Sequence, residues 1–470
     1  MRCCVLHILI LLCVLGSQVN AAPASQIQDL IDNAEPGSII VIPAGFYEGR
    51  VQVRKAITLD GHGEVTIDAG GEGSVIEVLA ADVTIKGFTI RGTGKSVSNE
   101  SAGIRVMTGP VIIENNHLTD IYFGIDLKQS PDSIIRNNTI VGKDLEVGRR
   151  GDGIRLWWSH GCTVESNEVI NSRDMVFWYS EDLKITNNSV LDSRYGLHFM
   201  YSHNTVVQKN RLSGNSVGIY LMYSNSITLT ENQIDNNRGT SGYGIGLKDC
   251  DDIRVESNLL AANRVGIYLD NSPSSPESTG VIRSNKVAFN EVGLLATPIT
   301  HDNVISLNTF IENEEQVTVH GGGQLMANEF SENGQGNFWS DYNGFDRDHD
   351  GVGEFAYEPK SLFRTMLARE PNLRLFVHSP AQQAVELTAR AFPELSPEPM
   401  FRDPSPLSSP PHFALEGLQA RRDASAMGFA SIGMLMFCTM IIIGFGLSPE
   451  QFRIRPFLAR VGFKGSVAHD

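Results

Sequence analysis

The sequence predicts an all-β protein, a right-handed parallel β-helix with turns of about 22 residues, and three observations carry this prediction. Asparagine recurs in steps that are mostly 20 to 23 residues long, with three wider steps of 26 to 29. A second series, Gly-Ile/Leu-x-Leu/Phe, keeps step with the first, and Asp174 replaces its glycine in one copy. Each repeat holds short apolar or β-branched segments, such as residues 226–230, and no long helical pattern. The two series are Asn116, Asn138, Asn167, Asn188, Asn210, Asn232, Asn258, Asn285, Asn308 and Asn328, and Gly124, Gly153, Gly196, Gly218, Gly244 and Gly266.

Two other repeat folds are excluded by period and composition. A propeller blade is about twice as long as this repeat, and a leucine-rich horseshoe needs more leucine and a helical half. Asparagine also has a physical reason to recur in a β-helix. It tolerates left-handed backbone at corners, and stacked side-chain amides can hydrogen-bond from one turn to the next.

Residues 1–21 have the pattern of a secretory signal peptide. Arg2 precedes an apolar run that begins at Cys3, and the small-residue site at residues 19–21 follows the run. The alternative is a buried first helix or strand. We expect the β-helix to occupy residues 22–336, with a helical cap at residues 26–34 over its first turn, because an open solenoid end needs a cap.

After Gly336 the period is lost, and residues 337–392 are predicted to form an extension with an acidic loop and a helical segment. Residues 393–425 are rich in Pro and Ser and predict an extended linker. Residues 426–447 are uncharged and mostly apolar, long enough for one transmembrane helix. Basic residues follow this segment, which predicts a cytoplasmic tail at 448–470 and a periplasmic body anchored in the inner membrane. The alternative is a hydrophobic helix docked on a membrane partner.

Composition and charge exclude several classes of protein. The chain has 470 residues and a formal charge of 38 − 54 = −16, and its ordered part has no dense basic block, so nucleic acid is not an expected partner. Only Cys162 and Cys250 lie in the predicted exported body. Four turns separate them, so they cannot form a disulfide, and we expect two buried thiols.

Four consecutive copies show which residues face outward. They begin at Gly153, Asp174, Gly196 and Gly218, and in each the second and fourth positions should point into the coil. The third and fifth positions then point out, and they form an unusually apolar stripe for a solvated surface. This stripe predicts a docking or ligand site, unless a later part of the chain, such as the segment after residue 336, covers it. The outward residues are Arg155, Trp157, Val176, Trp178, His198, Met200, Tyr220 and Met222, and we expect Trp157, Trp178, Tyr220 and Arg155 to contact a partner.

Three residues of the stripe predict a site for a soft cation. His198 and Met200 lie two residues apart on one strand face, and Met222 lies one turn away, so all three are expected to face solvent as neighbours. Imidazole with thioethers suits Cu(I), because hard ions prefer oxygen ligands. His160 and His203 share a column two turns apart, too far for one metal, and are predicted as ligands of a second site or as surface residues. The alternative for the methionines is contact with a partner protein.

The acidic loop after the β-helix resembles the first half of a calcium-binding loop. Asp346, Asp348, Asp350 and Gly351 form a D-x-D-x-D-G pattern. The twelfth position is Tyr357 in place of the usual bidentate Glu. The carboxylates are therefore expected either to bind calcium or to cap a turn.

The chain resembles the NosD family in three features. These are the repeated W-Y-S and M-Y-S copies, the run from Asn337 to Gly353 and the segment 376–384. The likeness spans residues 22–395. It implies a β-helix of the kind found in carbohydrate-binding proteins and sugar hydrolases. It also implies a periplasmic, copper-related role in maturing nitrous-oxide reductase, with an ABC transporter (permease and ATPase) and a copper chaperone lipoprotein as partners.

We therefore expect a non-catalytic protein that handles copper and docks to its partners. A carbohydrate-active enzyme is the second class, for which Asp126, Asp152 and Asp174 are the acids to consider. No compact acid and base cluster is expected, however, and an acidic chain would repel a polyuronate. A structural adaptor without metal is the third class.

Overall fold

The computed structural model describes residues 21–413 apart from residues 378 and 396. In this part of the chain, 36 strands form two parallel sheets, one of 24 strands and one of 12. They wind as a right-handed solenoid of about 13 turns, which confirms the predicted fold class. The signal peptide, the transmembrane segment and the cytoplasmic tail expected at 1–21, 426–447 and 448–470 lie outside the described residues, except for residue 21. None of the helices within the described residues has the length and hydropathy of a membrane span.

The strands are short, as in the predicted repeat. The first eighteen are β1 (Ala22–Pro23), β2 (Ile39–Val41), β3 (Gly45–Glu48), β4 (Val51–Val53), β5 (Thr58–Asp68), β6 (Ile76–Val78), β7 (Val83–Arg91), β8 (Ala102–Val106), β9 (Val111–Glu114), β10 (His117–Ile121), β11 (Phe123–Lys128), β12 (Ile134–Arg136), β13 (Thr139–Gly142), β14 (Ile154–Trp157), β15 (Thr163–Glu165), β16 (Glu168–Ile170), β17 (Asp174–Trp178) and β18 (Lys184–Thr186). The remaining eighteen are β19 (Ser189–Leu191), β20 (Tyr195–Met200), β21 (Thr205–Gln208), β22 (Arg211–Ser213), β23 (Val217–Met222), β24 (Ile227–Thr230), β25 (Gln233–Asp235), β26 (Tyr243–Lys248), β27 (Arg254–Glu256), β28 (Leu259–Ala261), β29 (Val265–Asp270), β30 (Gly280–Arg283), β31 (Lys286–Ala288), β32 (Val292–Ala296), β33 (Asn303–Ser306), β34 (Thr309–Ile311), β35 (Glu315–Val319) and β36 (Phe338–Trp339).

Three α-helices accompany the sheets, with short 3-10 turns at Val97–Asn99, Val147–Arg149, Pro371–Phe376 and Pro393–Leu395. Helix α1 (Ser25–Asn33) is the predicted cap, and it buries Ile27 and Ile31 over the first turn. Helices α2 (Leu362–Arg369) and α3 (Pro380–Ala391) lie in the C-terminal extension. The extension contacts the late turns of the solenoid, where Arg364 of α2 pairs with Glu315 of β35 at 3.5 Å.

The 12-strand sheet carries one strand of each turn, in the order β4, β6, β8, β11, β14, β17, β20, β23, β26, β29, β32 and β35. The recurring glycines lie at or near the starts of these strands, where the backbones of successive turns approach closely. A Cβ atom on Gly218 would lie 2.5 Å from the carbonyl oxygen of Gly244 in the next turn, so a larger residue would force the turns apart.

Stacked asparagines hold the turns together, as the sequence predicts. From Asn116 to Asn308, each side-chain amide donates to the amide oxygen of the next asparagine at 2.9 to 3.0 Å, and all of them are buried. The column then ends differently from the prediction. Its last member is Asn337, whereas Asn328 accepts from Asn303 in a separate column. The solenoid therefore continues past residue 336, since β36 pairs with β34.

Part of the segment predicted as a linker packs against the last turn. Asp403 accepts hydrogen bonds from the backbone N–H of Asn337 at 2.8 Å and from Trp339 Nε1 at 2.9 Å. Phe401 is buried against Phe330 with ring centroids 4.1 Å apart. Residues around 401–407 thus close the C-terminal end of the solenoid, because an exposed end would leave these polar and aromatic groups in water.

Candidate functional site

The strand alternation predicted for the four copies is present. The residues expected to point into the coil are fully buried: Ile154, Leu156, Met175, Phe177, Leu197, Phe199, Ile219 and Leu221. The residues at the third and fifth positions therefore lie on the outer face of the 12-strand sheet. Two columns follow from the strand register, one of Arg155, Val176, His198 and Tyr220, the other of Trp157, Trp178, Met200 and Met222.

The first column is not open to solvent, which corrects the expectation that His198 faces water. Arg155, Val176 and His198 are 3%, 2% and 6% exposed. Tyr195 covers His198 edge-on with ring centroids 5.0 Å apart, and Tyr220 lies parallel to its ring at 6.3 Å. Both covering residues belong to the 12-strand sheet itself, Tyr195 to β20 and Tyr220 to β23.

The second column is more open. Trp157 is 39% exposed, and Trp178, Met200 and Met222 are half-buried. Met200 and Met222 are neighbours in register, which places the two thioethers beside each other on the face that also carries His198. Trp178 Nε1 donates to the sulfur of Met200 at 2.7 Å. The three predicted cation ligands therefore lie on one side of the solenoid in two adjacent columns, where His198 is buried and the two methionines are half-buried.

The substitution of Asp174 for the recurring glycine supplies a partner for His198. The register between β17 and β20 shifts by one residue between Asp174 and Val176, so Asp174 pairs with Tyr195 and Val176 pairs with His198. The Asp174 carboxylate is 1% exposed and lies 3.2 Å from Nδ1 of His198. Arg194 donates to both carboxylate oxygens, from Nε to Oδ1 at 2.8 Å and from Nη2 to Oδ2.

This arrangement determines which tautomer the neutral His198 ring adopts. Burial would raise the pKa of Asp174, but the hydrogen bonds from His198 and Arg194 outweigh it and hold the pKa below its usual value. The carboxylate is thus ionised and can only accept, so Nδ1 of His198 carries the hydrogen. In the neutral ring Nε2 then has a free lone pair. Nε2 is buried and has no hydrogen-bond partner among the described residues.

His160 and His203 are set in the opposite way. Nδ1 of His160 accepts the backbone N–H of Glu181 at 3.1 Å, and Nδ1 of His203 accepts that of Asn225 at the same distance. In each neutral ring Nε2 therefore carries the hydrogen. Their placement gives no support to a second metal site, since the free lone pair of each ring is already engaged.

A compact cluster of acids and bases lies next to His198, although none was expected. Asp152 pairs with Arg173 at 3.0 Å, one turn before the pair of Asp174 and Arg194. Burial, and then the neighbouring Asp174, raise the pKa of Asp152 to about 7. The sequence places these residues at strand corners, and only the coil stacks the corners on each other.

The buried Arg155 belongs to a second charged cluster, so it is not presented to a partner as predicted. It donates to Asp126 at 2.8 Å and to both oxygens of Glu100 at 2.9 and 3.0 Å. Its guanidinium also stacks on Phe123 at 4.5 Å. Glu100 comes from an earlier loop, so strand alternation alone could not predict that it buries the Arg155 side chain.

The sixth position of the four copies forms an aromatic ladder that the sequence analysis did not predict, with three exposed members and the half-buried Tyr223. Trp158, Tyr179, Tyr201 and Tyr223 stack with centroid distances of 4.9, 5.2 and 5.0 Å. All four have φ near +50°, which is strained for such bulky residues. The signal was present, because an aromatic residue precedes the serine in every copy.

The acidic loop brings its carboxylates together. Oxygens of Asp346, Asp348 and Asp350 lie within 4.8 Å of one another. Asp346 accepts from the backbone N–H of Gly351 at 3.0 Å, and Tyr357 instead donates to Asp341. The carboxylates thus accept from the backbone of their own turn, and calcium binding stays a prediction. Cys162 and Cys250 are free and buried, as predicted.

Comparison with known proteins first defines the class. The A-module of the mannuronan C-5 epimerase AlgE6 from Azotobacter vinelandii superposes with a TM-score of 0.53 at 17% identity, over 66% of this chain and 95% of the module. At that identity the likeness shows the fold alone. It places the chain among parallel β-helix proteins, here with a histidine and two methionines on one outer face.

The particular family follows from sequence. The family model described as "Periplasmic copper-binding protein (NosD)" matches residues 139–344. The "Probable ABC transporter binding protein NosD" of Pseudomonas aeruginosa is 30% identical over 384 residues, covering 79% of this chain and 88% of the relative. Its namesake from Stutzerimonas stutzeri is 29% identical over 386 residues, covering 79% and 86%. The chain belongs to the NosD family.

Proposed function

We propose that this protein is a non-catalytic periplasmic accessory protein that binds and relays Cu(I) for the copper clusters of nitrous-oxide reductase and docks to an ABC transporter. The family description as copper-binding and periplasmic supports the metal and the compartment. The names of the two relatives support the transporter. The resemblance to the NosD family implies that nitrous-oxide reductase receives the copper and that a chaperone lipoprotein donates it.

One observation carries the assignment of the site. The Nε2 atom of His198 is buried and has no hydrogen-bond partner within residues 21–413 as described, and the contact of Nδ1 with Asp174 leaves the lone pair on Nε2. The ring lies on the sheet face that also carries Met200 and Met222. An imidazole nitrogen and two thioethers form a soft, uncharged ligand set, which suits Cu(I) better than a hard divalent ion. A carboxylate behind the ligating imidazole is the usual orientation of a metal-bound histidine.

The direct test is Cu(I) affinity, measured on the full chain by competition with a chromogenic Cu(I) chelator. We expect the triple variant His198→Ala, Met200→Ala, Met222→Ala to lose most of the affinity. The double variant His160→Ala, His203→Ala is the matched control, because it removes imidazoles with no free lone pair, and it should keep the affinity. Equal Cu(I) affinity in wild type and the triple variant would show that these three residues do not form the copper site.

Docking requires a separate test, because a metal-free adaptor could use the same surface. Trp157 is exposed and Trp178 is half-buried, and both adjoin the methionines. Photo-crosslinkers placed at these two positions should join the protein to its transporter, its chaperone or the reductase. Crosslinks combined with unchanged copper affinity in the triple variant would favour the adaptor.

One observation favours the carbohydrate-active alternative. A buried cluster contains Asp152, Asp174, His198 and two arginines. Burial and the neighbouring Asp174 raise the pKa of Asp152 to about 7, a value suited to proton transfer. The arginines occupy both carboxylates, however, which leaves neither one free. Turnover of alginate or pectin by the purified chain would reverse the ranking, and we expect none.

A further inference from the structure

The charged residues around His198 leave no net negative charge beside the ring. Asp174 is the only acid in hydrogen-bond contact with the imidazole among the described residues, and Arg194 engages both of its oxygens. One turn earlier, Arg173 likewise faces Asp152. The ligand set of one imidazole and two thioethers is itself uncharged.

The far end of the thioether column is positive. Lys248 follows Met222 in register, so the residue next to the outer thioether is a cation. Asp270 follows Lys248 and is one turn farther away. A cation bound between His198 and the methionines thus meets Lys248 before it meets the carboxylate of Asp270.

An uncharged site discriminates strongly between cations of different charge. The cost of removing an ion from water grows with the square of its charge, so it is about four times larger for a divalent ion than for a monovalent ion of equal size. Only a nearby net negative charge compensates for this cost. Asp174 could supply such a charge if Arg194 did not neutralise it.

We propose that Arg194, by neutralising Asp174, restricts the site of His198, Met200 and Met222 to monovalent soft cations and excludes Cu(II) and Zn(II). This inference rests on the proposed function, because it assumes that His198 binds the cation. Arg194 does not touch the cation and acts through Asp174. Its guanidinium is held in place by stacking on the Tyr195 ring at 4.4 Å.

The test compares affinities for Cu(I), Cu(II) and Zn(II) in the full chain, each by competition with a chelator. In wild type we expect Cu(I) to bind and the divalent ions to bind weakly. Arg194→Gln leaves Asp174 without its counter-charge beside His198, and the ratio of Cu(I) to Cu(II) affinity should fall by about tenfold or more. Arg194→Lys keeps the charge and should keep the wild-type ratio. The double variant Asp174→Asn, Arg194→Gln restores neutrality and should restore the ratio.

Two further variants keep the test decisive. Lys248→Gln removes a positive charge from a half-buried surface position, and it should shift the ratio of Cu(I) to Cu(II) affinity in the same direction as Arg194→Gln. This variant tests the role of charge even if substitution of Arg194 prevents folding. Arg254→Gln, which removes an exposed arginine on another face, is the matched control and should change nothing.

The outcomes separate the two proposals. Cu(I) binding that does not depend on His198 overturns both. Cu(I) binding that depends on His198, with a ratio that neither Arg194→Gln nor Lys248→Gln alters, overturns the role of charge alone. An equal shift in Arg194→Lys and Arg194→Gln also contradicts the inference, since it would show that geometry decides selectivity.

Discussion

Nδ1 of His198 lies 3.2 Å from the carboxylate of Asp174, and this contact decides which nitrogen of the ring is free. Asp174 occupies the position that is glycine in the neighbouring copies. A small residue there would leave the ring free to adopt either tautomer. The replacement of a repeat glycine by Asp174 therefore determines which nitrogen of His198 can bind a cation on the outer face.

Asp174→Ala should therefore weaken Cu(I) binding by about tenfold to a hundredfold, as loss of an orienting partner does in other metal sites. Chelator competition on the full chain measures the effect. Asp152→Ala is the control, because it removes a buried carboxylate that pairs with Arg173 and not with His198. Equal losses in the two variants would show that Asp174 acts through general stability and not through the imidazole.

Glu100 should make stability depend on acidity. The hydrogen bonds from Arg155 hold the pKa of Glu100 at about 2, against an ordinary value of 4.5. A lowered pKa means that the ionised form stabilises the fold above pH 4.5, and that this contribution is lost as the pH falls toward 2.

The variant Glu100→Gln should thus melt at a lower temperature than wild type at pH 7, and the difference should shrink between pH 4.5 and pH 2. Because the Glu100 side chain is 39% exposed, solvent screening limits the effect to about 1 kcal/mol. Thermal melts across this range measure it. A difference that stays constant with pH would contradict the pairing.

Asp403 should be required to close the C-terminal end of the solenoid. It is buried, and it accepts from the Asn337 backbone and the Trp339 indole, two donors that would otherwise lack partners. We expect Asp403→Ala to lower the free energy of unfolding by about 1 to 3 kcal/mol. Denaturant unfolding measures this, and Glu398→Ala, at an exposed position of the same segment, should have little effect. Similar values for both variants would exclude the capping role.

Calcium binding by the acidic loop is testable independently of copper. If Asp346, Asp348 and Asp350 bind calcium, millimolar calcium should raise the melting temperature of wild type. The variant Asp348→Asn, Asp350→Asn should lose that increase, because it removes two of the three charges. A wild-type melting temperature that calcium does not change would leave the carboxylates as turn caps.

Sequence periodicity was sufficient to predict the solenoid, the asparagine ladder, the N-terminal helix and the alternation of the four copies. Each of these depends on residues close in sequence or on a repeat that places equivalent residues above each other. The prediction failed at the last turn, where Asn337 and not Asn328 ends the column. There a segment from beyond residue 400 completes the core, and no local pattern encodes a partner so distant along the chain.

The sequence by itself determined that His198, Met200 and Met222 share one outer face, because strand alternation and the equivalent positions of neighbouring repeats fix the face on which each residue lies. Only the tertiary structure decided that His198 is covered, that Arg155 is sequestered by Glu100, and that Asp174 and Arg194 stand behind the imidazole. The physical reason is that cover, charge pairing and tautomer depend on side chains from other turns and loops, whose distances the coil sets and the linear order does not.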